Sequence, residues 1–176
     1  MLKVVVNSTP LIALNAVNQL SILGALYKKI IVPYGVYEEV FFKAPTNKKI
    51  DLSLFDYILI ERVKNAYAKE LLQTSLHKGE IEVILLAQEI NADLCIIDDY
   101  LARKYASLFG LKVTGTIGVL LRAKENQLIK ESELPSTFRG GGFLLHRPDL
   151  LLGLHSPVVE VQILTGVNSG SSYPTD

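Results

Sequence analysis

The chain of 176 residues holds one cysteine, Cys95, so no disulfide can form within it and its stability must come from a buried core. Cys95 lies in the apolar run LCII and reads as a small core residue, not a nucleophile. Neither sign of charge is in excess, because 18 lysines and arginines balance 18 aspartates and glutamates. A global basic field is thereby excluded, and any binding of nucleic acid needs a local patch. No window reaches the roughly 18 apolar residues of a membrane span. The opening MLKVVV reads as a strand, not as the apolar core of a signal peptide. A soluble, cytoplasmic protein is expected. The three histidines, His77, His146 and His155, have no ligand spacing, and no serine–histidine or cysteine–histidine arrangement supports acyl transfer.

What is present is an alternation of two kinds of apolar segment. Short β-branched runs at 4–6, 30–32, 57–60, 94–97 and 112–114 read as strands. Between them, helical spacing runs over 11–17, 20–27, 36–42, 65–74, 81–90, 101–109 and 117–125. The alternation predicts an α/β fold in three α/β/α layers, with a central parallel sheet of four to five strands. Thr9 is the expected N-cap of the first helix, with Pro10 at its first position. Composition changes near residue 131, since no lysine occurs beyond Lys130. The expected division is a domain over 1–130 and an extension over 131–176, with a packing helix at 144–154 and a mobile tail.

Ligands of open α/β sheets sit at the carboxyl ends of the strands. The pattern delivers Asn7 there from the first strand, and Asp98 and Asp99 from the fourth. Glu38 and Glu39 follow the second strand, and Glu80 opens the helix GEIEVILLAQEI. Each has a structural explanation alone, as a cap, a first-turn acid or a solvated face. Together, four segments bring acids or an amide to one edge, and their mutual repulsion favours a cation among them. Oxygen ligands without histidine or cysteine suit Mg²⁺ or Mn²⁺, which in turn suits phosphoryl chemistry.

The stretches VVVNSTPLIAL, IIVPYGVYEEV, LHKGEIEVILLAQEINADLCIIDDYLARKYA and LKVTGTIGVLLRAKENQLI, in that order, resemble the PIN-domain proteins. The likeness is strongest to a short branch related to the VapC-type toxins of toxin–antitoxin pairs. The resemblance implies a Mg²⁺- or Mn²⁺-dependent endoribonuclease, with RNA as substrate, an antitoxin as partner and a homodimer as the assembly. By position, the family's four acids fall on Asn7, Glu39, Glu80 and Asp98, and Ser8 and Thr9 match the hydroxyl residues after the first acid. Neighbouring residues point in different directions, so one of each pair Glu38/Glu39, Glu80/Glu82 and Asp98/Asp99 should line the crevice. The reading selects Glu39, Glu80 and Asp98 as catalytic, with Asp99 the substitute for Asp98 as a metal ligand.

Asn7 departs from the family pattern, because its amide oxygen can coordinate a metal but brings no charge. Two function classes follow: a ribonuclease with reduced activity, or a PIN-like module that binds RNA or protein without cutting. A basic rim for RNA would draw on lysines such as Lys28, Lys29, Lys43 and Lys64.

Overall fold

The computed structural model describes residues 2–46, 49–64 and 76–130. Its elements run β1 (Val4–Val6), α1 (Ser8–Ala16), α2 (Ile22–Tyr27), β2 (Ile30–Pro33) and α3 (Tyr34–Tyr37). A π-helical stretch (Glu38–Lys43) continues α3, and a 3₁₀ turn (Leu52–Leu54) precedes β3 (Ile58–Glu61). There follow α4 (Lys78–Ile90), β4 (Leu94–Ile96), α5 (Tyr100–Leu108), β5 (Val113–Thr114) and α6 (Thr116–Glu125). The helices expected over 65–74 and 144–154, and the tail beyond, lie outside the described residues.

All five strands are parallel, in the order β3-β2-β1-β4-β5. β1 is central: Val5 pairs with Ile31 on one side and Cys95 on the other. Val4, Val5 and Val6 have no exposed surface, as expected of a strand covered on both faces. On one side α4 packs across β1, β2 and β4 and contacts α3 and α5, while α1 and α2 contact α6. The result is the three-layer α/β/α arrangement expected from the alternation. Cys95 belongs to the core, and burial pushes its thiol pKa up to about 12, which leaves it without nucleophilic character at neutral pH. No helix among the described residues is long and apolar enough to cross a membrane.

The structure corrects two local expectations. The first helix starts at Ser8 with Asn7, not Thr9, as its N-cap, and Pro10 is the third helical residue. Proline is tolerated there because the first four N–H groups of a helix have no intrahelical partner. The second is the π-helical stretch, where ordinary α spacing was expected. A π turn widens the ladder by one residue and leaves no signature in composition.

Glu82 ties the two helices at the carboxyl edge together. It is 2% exposed, and its Oε2 accepts from the Gly35 N–H at 2.7 Å, which supplies a partner for the start of α3. The fit is close, because a Cβ on Gly35 would stand 2.7–2.8 Å from all three atoms of that carboxyl group. Gly35→Ala is therefore expected to lower the unfolding free energy by about 1–3 kcal/mol, read from the urea midpoint. Glu82→Ala leaves the Gly35 N–H without this acceptor and is expected to cost a similar amount, about 1–3 kcal/mol. Unchanged midpoints in both variants would contradict the contact.

Candidate active site

β1 carries Asn7 straight to the carboxyl edge. Its backbone N–H donates to the Ile96 carbonyl at 3.0 Å, continuing the ladder with β4, before the chain turns into α1. The Asn7 Oδ1 accepts from the Ser8 N–H at 2.8 Å, so the side chain caps the helix that follows. Asn7 is 2% exposed. At that depth an amide oxygen caps without the desolvation cost of a carboxylate. Ser8 is buried beside it in the first turn of α1, and Thr9 is exposed.

The glutamates after β2 separate cleanly. Glu38 pairs with Lys78 at 2.8 Å, and that bond holds its carboxyl below the usual range, helped by the charges of Lys78, Lys43 and Arg62. Glu39 instead reaches the first turn of α4. A Cβ added to Gly79 would lie 3.0 Å from the Glu39 Oε2 and 3.8 Å from the Asn7 Oδ1. Glycine at 79 thus leaves room for a carboxylate oxygen and an amide oxygen to approach the same point.

Glu80 stands next to that point on α4, half-buried, with Oε2 accepting from the His77 N–H at 3.0 Å. Burial pushes its pKa up, the His77 N–H opposes this, and the charges of Asp99 and Glu39 add to the rise. Glu39 and Asp99 are therefore each within electrostatic reach of Glu80, although the three come from separate segments. Glu82, two residues on, faces Gly35 and lies outside this group.

The two aspartates after β4 also divide. Asp99 is exposed and caps α5, accepting from the Ala102 N–H at 2.8 Å, and its charge is the one Glu80 feels. Asp98 uses both oxygens at the start of α6: Oδ1 accepts from the Thr116 N–H at 2.7 Å and Oδ2 from the Thr116 hydroxyl at 2.5 Å. Buried Arg103 lies alongside, donating to the Ile97 carbonyl at 3.2 Å. A Cβ on Gly115 would meet both the Asp98 Oδ1, at 2.7 Å, and the Arg103 Nη1, at 2.9 Å. Asn7 and Glu39 approach Gly79, Glu80 follows it on α4 within the field of Glu39 and Asp99, and Asp98, the aspartate selected from sequence, accepts from Thr116 at the start of α6.

Among the described residues no three histidines, cysteines, aspartates or glutamates stand close enough to hold a metal ion directly. The donors along this edge, the Asn7 amide oxygen and the carboxylates of Glu39, Glu80, Asp98 and Asp99, are all oxygens. That set fits a hard cation, and Mg²⁺ in particular keeps several waters and is commonly held by one or two carboxylates. Thr116, Arg103 and Gly79 were not singled out from sequence.

The raised Glu80 pKa fixes the sign of one pH dependence. Its contribution to stability is fully present below the ordinary glutamate value and is lost as pH rises through the raised one. Glu80→Gln can keep the bond to the His77 N–H while removing the charge. The variant is expected to melt higher than the parent at neutral pH and to match it near pH 3, where carboxylates are protonated. A lower melting temperature at neutral pH would show that the charge is not repelled in the folded state.

The profile of the family DUF3368, described as a PIN domain, matches residues 3–137. No curated protein sequence matches the chain.

Proposed function

The chain belongs to the PIN-domain family, and from that premise we propose that it is a Mg²⁺- or Mn²⁺-dependent endoribonuclease. In this reading it acts in the cytoplasm as a homodimer, as the toxin of a toxin–antitoxin pair that a protein antitoxin restrains. The observation that supports the reading is the approach of Glu39 and Asn7 to Gly79, with Glu80 next in the chain and in the field of Glu39 and Asp99, at the carboxyl edge of β1 and β4.

Asn7, Glu39, Glu80 and Asp98 would hold the ion, with Asp99 the substitute for Asp98. Bound there, a divalent ion activates water and neutralises charge on the phosphate under attack. The protein's own groups prepare the place. The first turns of α1, α4 and α5 meet at this edge, and their N-terminal dipoles favour anions. Glu39 and Asp99 are exposed and face an approaching strand, while buried Asn7 is an uncharged corner that weakens the hold on a cation without removing it.

A specific observation also favours the second reading, a PIN-like module that binds RNA or protein without cutting it. Asn7, Glu80, Asp98 and Asp99 each accept a backbone N–H at a helix start, so the cluster has a structural use without any metal.

Incubation of purified protein with single-stranded RNA and Mn²⁺ separates the two. The parent is expected to cleave. Glu39→Gln, altered at an exposed position, is expected to lose about 100-fold in rate with an unchanged melting temperature. Asn7→Asp is expected to bind Mn²⁺ more tightly and cleave faster, and a variant unchanged in both would remove Asn7 from the metal site. RNA binding without cleavage, or equal cleavage by parent and Glu39→Gln, supports the module instead. Growth arrest on expression of the parent, relieved by Glu39→Gln, is the outcome expected of a toxin.

A further inference from the structure

Four aromatic residues stand within nine positions on α3 and its π-helical continuation, next to the candidate active site. Tyr37 and Phe41 stack with ring centroids 5.5 Å apart and planes 5° apart. Phe42 meets both edge-on, at 5.7 Å from Tyr37 and 4.9 Å from Phe41. Tyr34 leans on Tyr37 at 6.2 Å, and the Arg62 guanidinium carbon lies 3.3 Å from the centre of the Tyr34 ring. Such a cluster would ordinarily face a core. Here Phe42 is 59% exposed, and the three other rings are half-buried.

Three cations stand close to these rings, beside Glu38 and with Asp51 against Tyr37, in a chain whose formal net charge is zero. Lys78, Lys43 and Arg62 all lie near enough to Glu38 to lower its pKa. All three are exposed. Three cations thus surround one carboxylate on a ledge that carries the aromatic rings. The ledge opens directly onto the acid cluster, because Glu38 and Glu39 are consecutive and Lys78 precedes Gly79.

Exposed aromatic faces interleaved with cations are the chemistry that holds unpaired bases and a phosphate backbone together. A duplex offers no free base face to such rings, whereas a single strand does. An apolar protein partner would account for the rings but not for the three cations. We propose that this ledge binds single-stranded RNA, stacking a base on Phe42 and the rings behind it while Lys43, Arg62 and Lys78 hold the backbone that leads to Glu39. The choice of RNA rests on the ribonuclease reading; the stacking and the charge rest on the ledge alone.

The test measures binding of a fluorescein-labelled single-stranded RNA, about 12 nucleotides long, by anisotropy in EDTA, where metal-dependent cleavage is suppressed. Phe42→Ala is expected to weaken binding about tenfold, within the range for loss of one stacked base, and Phe42→Tyr to restore it. Lys43→Ala is expected to lower the slope of log affinity against log salt by about 0.7, the value for one phosphate contact on a single strand. Leu108→Ala on α5, also exposed, serves as the control and is expected to bind like the parent. Because Phe42 is largely exposed, its variants should melt with the parent. A Phe42→Ala variant that binds like the parent overturns the proposal. So does one that binds like the parent but sediments as a smaller species, which would make the ledge an interface between copies. Failure of the ribonuclease reading appears separately, as intact RNA after incubation with Mn²⁺ while Phe42-dependent binding persists.

Discussion

A helix cannot pair its own first backbone N–H groups, and in this protein several helices begin at the same edge of one sheet. β1, β2, β4 and β5 each run directly into a helix there, and α4 starts at the same edge. Each start takes an acceptor from a polar side chain. Asn7 serves α1, Glu82 serves α3, Glu80 serves the entry to α4, Asp99 serves α5 and Asp98 serves α6. The sheet is buried on both faces, so these acceptors have only the carboxyl edge to occupy. The crowding of acids there is a direct consequence of the parallel fold.

This constraint also explains how the charges are distributed. Asn7, 2% exposed, is a neutral cap, while the exposed Glu39 and Asp99 are carboxylates that water can solvate. Glu80 lies between these limits, half-buried and close to two other acids, and its raised pKa records both effects. Glu82 is a buried carboxylate held by a charge-assisted bond to the Gly35 N–H. Capping and cation binding ask for the same oxygens at the same edge. In the proposed function the oxygens that cap these helices would also hold a cation, and a neutral Asn7 serves the first role while the fold remains intact.

Much of this was legible in the residues themselves. Valines at 4–6 and the run LCII announced strands buried on both sides, and the segments between them carried helical spacing, so layer order and sheet edge followed from periodicity. Asn7 stood out as the odd polar residue at a strand end. The choice within each acidic pair was harder to read. Adjacent side chains differ in direction, but which one turns toward Gly79 depends on the helix start that claims the other. Asp98 accepts from Thr116, 18 residues away, a partner that no local spacing announces.

The sequence by itself determined the alternation of strands and helices, the burial of β1 and the delivery of polar residues to one edge, because those depend on local periodicity and on turn chemistry. Only the tertiary structure decided that Glu82 belongs to Gly35, 47 residues distant, and that Asp99 shares a field with Glu80. It alone set Arg62, from just beyond β3, over Tyr34 at the start of α3. Hydrogen bonds and fields act through space over a few ångströms, and that distance is set by how the chain packs, not by spacing along it.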